Sequence, residues 1–190
     1  SSPPYTPSSI CLYHLNAEAE IEKKFSNPNH QVPDKPFIRM HHSTWFREYL
    51  TKDARFEVRA GRITMQEFIE EMSRSPIALD VNSVAEISNR TLEAFGLGLA
   101  LIRPKLTIQY HNPLIPNFHY AAVDCEDLSD FKALSDSYIR KFNELKDNPE
   151  LIKYYGKNGR QWYLENCKLE GFVSIFVDKL INLKDIGIDT

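Results

Sequence analysis

The amino-acid sequence predicts an α/β fold, a parallel sheet with helices on both faces followed by a helical C-terminal region. Three observations carry that expectation. Strand-like and helix-like segments alternate from Phe37 onward, and two short apolar runs, residues 77–81 and 99–102, have the character of strands buried on both faces. Beyond residue 128 the periodicity is helical throughout. Hydrophobic residues make up 42% of the 190 and charged residues 26%, the proportions of an ordinary folded protein, so a core of usable size is expected.

The first 36 residues read as a linker or appendage. Prolines at 3, 4, 7, 28, 33 and 36 leave room for one regular stretch, with a short strand over 9–13, a helix over 17–25 and a connecting loop from Asn27 to Pro36. Residues 37–190 form the main domain. Within it, S-T-W-F-R-E-Y-L (43–50) is a helix capped by Ser43 or Thr44, and R-F-E-V-R (55–59) alternates as a strand does. Thr64-Met65-Gln66-Glu67 is a capping-box pattern opening a helix to about Arg74, with Met65, Phe68, Ile69 and Met72 on one face. The run I-A-L-D-V (77–81) is a buried strand, residues 82–87 a loop, and Ser88 opens a helix through Leu97. Leu99 to Ile102 is the next buried strand, Pro113 and Pro116 mark an irregular loop, and Tyr120 to Val123 is the last strand. Leu128 to Leu145 is a long amphipathic helix, Pro149 opens a second, and Gly171 precedes a third with a stripe of Phe172, Ile175, Phe176, Leu180 and Ile181.

Several function classes are disfavoured by composition. A net charge of −3 and a pI near 6.1 give no field that would attract nucleic acid or an anionic membrane, so an anionic ligand must be held locally. The three cysteines, Cys11, Cys125 and Cys167, are too dispersed for a disulfide framework or a structural zinc site. No apolar run has the length of a membrane span, and the N-terminus lacks the order of a signal peptide. The chain does not begin with Met, and a cytoplasmic fragment or processed protein, free or at a membrane surface, is the expectation.

The candidate chemistry lies between Asp80 and Glu93. In an open α/β sheet, ligands bind beyond the carboxyl ends of the strands, often at a helix N-terminus with its unpaired N–H groups and positive dipole end. Ser88 adds a hydroxyl there, and Arg90 adds a guanidinium able to grip phosphate in a bidentate way. The simpler reading makes Ser88 an N-cap and pairs Arg90 with Glu86 or Glu93 at helical spacing. Glu93 is equally a ribose acceptor or the partner of Arg90. Gly96-Leu97-Gly98 ends a helix and lacks the G-x-G-x-x-G order, so a dinucleotide fingerprint is rejected. His41 and His42 are adjacent and have no further ligand at zinc spacing. His111 and His119 flank the proline loop and suit substrate contact better than metal. No G-x-S-x-G elbow is present.

These motifs resemble a known family. Asp80-Val81-Asn82, then Ser88-Asn89-Arg90, a Leu-rich strand and Y-H-N-P-L-I-P-N-F-H-Y (110–120) are similar to the donor-binding half of GT-B glycosyltransferases. The likeness is to the Rumi-like, capsule- and lipopolysaccharide-modifying family. The P-x-x-H-Y step (Pro116 to Tyr120), the D-L-x-D step (Asp127 to Asp130) and the late N-G-R (Asn158 to Arg160) follow in family order, and the likeness spans about Arg55 to Leu183. It implies a Rossmann-like domain, one half of a GT-B architecture, with the other half absent from this chain. It implies that Ser88, Asn89 and Arg90 hold the diphosphate of a nucleotide sugar such as a UDP-sugar. Asn82, Ser83, Glu93 and His119 would stand near the ribose or the donor cleft. The acceptor would be a glycan, lipid-linked or protein hydroxyl, and neither metal nor cofactor is called for. The family's glycine after the acidic residue is replaced by Val81-Asn82-Ser83. Two competing readings are a non-catalytic binding module that keeps the fold and a sugar-nucleotide epimerase, the latter disfavoured by the missing glycine fingerprint.

Overall fold

The computed structural model describes residues 32–40, 45–61, 63–81, 88–108, 112–167 and 173. The segments expected as a strand over 9–13, a helix over 17–25 and a helix after Gly171 fall outside these residues, save residue 173.

The fold is α/β. In chain order its elements are β1 (Phe37–Met40), α1 (Trp45–Leu50), β2 (Glu57–Ala60), α2 (Met65–Ser73), β3 (Ile77–Leu79), α3 (Asn89–Gly96), β4 (Ala100–Arg103), β5 (Ala121–Ala122), α4 (Phe131–Lys146) and α5 (Pro149–Asn166). Every strand pairing is parallel. One sheet has the order β3-β4-β5, and a two-stranded sheet pairs β1 with β2. The sequence assigns no strand to F-I-R-M (37–40), because four residues are too few for a period of two to show. Its pairing with β2 is a product of tertiary contact. Residues 32–36, placed outside the domain by the sequence, are tied to it: Lys35 Nζ donates to the Ala54 carbonyl (2.9 Å) and Lys146 pairs with Asp34 (3.2 Å).

The pleat explains the core. Ile77 and Leu79 of β3, Ala100 and Ile102 of β4, and Ala121 of β5 point to one face, where Phe46 and Leu50 of α1 and Leu134, Tyr138 and Phe142 of α4 cover them. Ala78, Leu101 and Ala122 point the other way, against Met72 of α2 and Ala94 and Phe95 of α3. Helices thus cover both faces, as the short all-apolar runs of the strands require. Helix α5 gives Ile152 and Tyr155 to the first face and Trp162 to the second, so it crosses from one to the other. Two glycines allow its close approach. A Cβ on Gly156 would lie 2.7 Å from the Gly98 carbonyl oxygen, and one on Gly159 would lie 2.5 Å from the Phe95 ring.

The helix starts are chemically specified. Thr64 and Glu67 form both bonds of the capping box expected for α2. Asp130 accepts from the Ala133 N–H, starting α4 three residues later than the apolar pattern suggests. Asn148 accepts from Leu151 N–H with Pro149 in the first turn of α5.

The two sheets meet without hydrogen-bonding to each other. Phe37 and Ile38 of β1 and Ile77 to Leu79 of β3 line a cleft of about 40 Å³, with β1 rather than β2 beside β3. The chain leaves β1 toward β2 on one side and returns to β3 on the other. Such a reversal of direction marks a switch point, and the cleft beside it runs from Phe37, Ser75 and Leu99 at the amino ends of the strands to Arg90 at the start of α3.

Candidate functional site

The carboxyl edge of the sheet carries a row of polar groups that the interior does not. Asp80 follows β3, and its N–H still bonds the Ile102 carbonyl (3.0 Å). Arg103 ends β4 in register with Ala122 of β5. Asp80 is 1% exposed and Arg103 0%, so neither charge is solvated and each must be satisfied inside the protein. They satisfy one another through α3. Arg103 Nη1 lies 3.5 Å from Asp80 Oδ2 and donates to Thr91 Oγ1 at 2.8 Å, while the Thr91 hydroxyl donates to the same carboxylate oxygen in a short bond. Ser88 Oγ donates to the other oxygen, Oδ1, at 2.9 Å. Arg103 Nε reaches the Pro104 carbonyl (3.3 Å), and its guanidinium stands 5.7 Å from the centre of the Tyr120 ring. Beneath, the buried Tyr138 hydroxyl donates to the Asp80 carbonyl (2.7 Å), and burial pushes its pKa well up, keeping it a donor.

Ser88 is therefore the N-cap residue by backbone geometry (φ −95°, ψ 160°) but makes no side-chain cap bond. Its hydroxyl goes to Asp80 instead of to the N–H groups of the first turn. That departs from the N-cap bond the sequence suggests. The cause is the buried carboxylate eight residues back, an acceptor stronger than a backbone carbonyl. Asn89 is exposed and Arg90 half-buried. Arg90 lines the cleft between β1 and β3 together with Leu79, Phe68 and Met72, so the site and the crevice are contiguous.

Glu93 stands one turn farther along α3. Burial is the largest influence on it and raises its pKa; the nearby Arg90 charge pulls the other way and the Asp80 charge adds to the rise. A carboxyl whose pKa is raised on folding stabilises the fold fully at acid pH, and that contribution fades as pH climbs through the folded pKa. Glu93→Gln is thus expected to be slightly more stable than wild type at pH 7, by a few tenths of a kcal/mol or about 1 °C in Tm for a chain of this size. The gain should vanish at pH 3, where wild-type Glu93 is protonated. Thermal melts at the two pH values test this, and a loss of stability at pH 7 would contradict it.

His119 is placed elsewhere. It lies in the turn over residues 117–119 that precedes β5. Buried, it accepts from the Ile115 N–H at Nδ1 (2.8 Å), and burial lowers its pKa, which keeps that nitrogen free to accept. The Nδ1 of His119 is thus engaged within the proline loop. Asn82, Ser83, Glu86, His41, His42 and His111 lie outside the described residues.

The other motifs turn out to be architectural. In P-N-F-H-Y, Asn117 adopts φ 57° and its side chain accepts from Ala122 N–H, while Pro116 bridges to Tyr120. In D-L-S-D, Asp127 accepts from both the N–H and hydroxyl of Ser129, and Asp130 caps α4. In N-G-R, Asn158 donates to the Phe118 carbonyl (3.1 Å), Gly159 admits Phe95, and Arg160 donates to the Gly96 carbonyl at the end of α3. Arg103 is the residue that sequence reasoning missed. The signal was present in A-L-I-R-P: an arginine directly continuing a buried strand needs an anion beside it.

A hollow of about 450 Å³ lies away from this edge, against α2 and β2. Of the charges around it, Glu67 belongs to the capping box and Glu71 and Glu57 pair with Arg59. Among the described residues no group of three His, Cys, Asp or Glu could hold a metal ion, and no helix is long and apolar enough to cross a membrane. Comparison with protein-family models yields no match, and comparison with curated proteins yields none either.

Proposed function

We propose that this chain is the nucleotide-sugar-binding half of a GT-B glycosyltransferase, a Rossmann-like domain that holds the donor diphosphate at the first turn of α3. The observation that carries the reading is Arg90: a half-buried arginine in the first turn of a helix that begins at the carboxyl edge of a parallel sheet, beside the crevice between β1 and β3. A phosphate there meets the positive end of the helix dipole and a planar guanidinium together. The ordered likeness to the Rumi-like, capsule- and lipopolysaccharide-modifying family supports the same site.

In the proposed reaction the bond between the anomeric carbon and the phosphate oxygen breaks, and negative charge gathers on the departing diphosphate. Arg90 and the N–H groups at the start of α3 stabilise that charge, the kind of electrostatic assistance that lowers such barriers most. Glu93, one turn on, accepts from a sugar or ribose hydroxyl in this reading. The acceptor hydroxyl and the base that takes its proton belong to the other half of the cleft. Binding of donor without transfer is the alternative, a module that has kept the fold.

Chemical-shift mapping of the ¹⁵N-labelled protein with uridine diphosphate tests the location. The expected perturbations fall on Asn89, Arg90, Thr91 and Glu93 and spare residues 117–120. Perturbations confined to the proline loop or to the hollow near Arg59 and Arg74 would sink the assignment.

A further inference from the structure

We infer that Asp80 and Arg103 are positioning residues for the first turn of α3, and that Ser88 meets a bound ligand with an oxygen lone pair rather than with its proton. The inference deepens the donor-site reading and depends on it for the identity of the ligand. A carboxylate held by a guanidinium has acceptor sites only, so in the contact of Ser88 Oγ with Asp80 Oδ1 the hydroxyl must donate. Thr91 is fixed the same way, donating to Asp80 and accepting from Arg103. A serine hydroxyl has one proton. With that proton on Asp80, the outward side of Ser88 Oγ can only accept.

A phosphate oxygen is itself an acceptor and gains nothing from such a group. A ligand hydroxyl or amine does. The anion contact therefore falls on Arg90 and the backbone N–H groups, and Ser88 faces a hydroxyl-bearing part of the ligand. Asp80 and Arg103, 1% and 0% exposed, reach no ligand themselves and act through Ser88 and Thr91, the residues on either side of the first turn.

The test uses three proteins: wild type, Ser88→Ala, and the double variant Asp80→Leu/Arg103→Met, in which both buried charges leave together so that the fold is spared an unpaired one. Uridine diphosphate affinity is measured calorimetrically, and amide hydrogen exchange is followed at Thr91, whose N–H bonds the Ser88 carbonyl (3.0 Å), and along α5. Ser88→Ala is expected to change affinity for inorganic pyrophosphate, titrated in parallel, less than about threefold, since no phosphate bond is lost, and to lose more with uridine diphosphate, whose ribose hydroxyls can donate to the Ser88 lone pair. The double variant is expected to bind at least about tenfold more weakly and to exchange at Thr91 at least about tenfold faster, with α5 exchange unchanged. A tenfold loss of pyrophosphate affinity in Ser88→Ala would overturn the lone-pair assignment. Wild-type exchange at Thr91 in the double variant would overturn the positioning role, whatever the affinity. If wild type binds no uridine diphosphate, the donor reading falls and Thr91 exchange alone decides the positioning role. Should the double variant not fold, Thr91→Val, which keeps both charges and removes the bridging hydroxyl, is read by the same affinity arm and by exchange at residue 91.

Discussion

Replacing Arg103 with methionine is expected to destabilise the fold by about 3–5 kcal/mol, the cost of leaving a buried partner charge uncompensated. Methionine fills much of the volume, so packing loss is small and the electrostatic loss dominates. What remains is Asp80, 1% exposed, facing Ser88 and Thr91 hydroxyls with no other ion pair among the described residues. The substitution also removes the bond to the Pro104 carbonyl and the charge beside the Tyr120 ring. For a chain of this length the loss corresponds to about 10 °C in Tm. Urea denaturation at pH 7 measures it. The Asp80→Leu/Arg103→Met protein should recover most of the lost stability, because a buried ion pair replaced as a unit by apolar groups is close to neutral. A single variant as stable as wild type would mean that Asp80 has another counter-charge or has taken up a proton.

The contrast between single and double variants matters because stability and function are separable at this pair. A buried ion pair is weak grounds for stability by itself. What it supplies here is direction: it fixes which way two hydroxyls point at the start of α3. That is a local, orientational effect, and it is legible only once Asp80 and Arg103 are seen in adjacent rows of the sheet.

Much of the architecture could be read from the sequence, for identifiable reasons. The runs I-A-L and A-L-I-R are strands buried on both faces, and continuous apolarity of that length has few other solutions in an α/β chain. Thr64 with Glu67, Asp130, and Asn148 with Pro149 are local signals whose bonds close within three or four residues, so they need no tertiary knowledge. Strand β1 was illegible because F-I-R-M is short and owes its pairing to β2, about twenty residues away.

The candidate site was legible in position but not in wiring. The start of α3 after a buried strand marks the place, and Arg90 stands there as expected. The hydroxyl of Ser88, by contrast, is claimed by Asp80, and nothing in the spacing between residues 80 and 88 reveals that the loop returns one to the other. The bond made by His119 was hidden for a similar reason. A histidine beside two prolines suggests an exposed loop, whereas the loop folds on itself and uses the imidazole as an internal acceptor. Asn158 and Arg160 likewise serve α5, fastening it to the proline loop and to the end of α3.

The central claim is that a nucleotide diphosphate binds at Arg90, and the second large effect expected follows from it. On the proposed reading Arg90 supplies a charge-assisted, bidentate contact, and loss of such a contact typically removes about 1.5–3 kcal/mol of binding. Lysine at the same position keeps the charge but not the fork and should fall between. The overall charge of −3 offers no compensating attraction, so the local contact decides the affinity. Calorimetric titration of uridine diphosphate into wild type and Arg90→Ala at moderate salt is the most direct measurement. Binding by wild type, weakened at least about tenfold in Arg90→Ala with the denaturation midpoint little changed, is the predicted result. Equal affinity in the two proteins, or no binding by wild type, would contradict it.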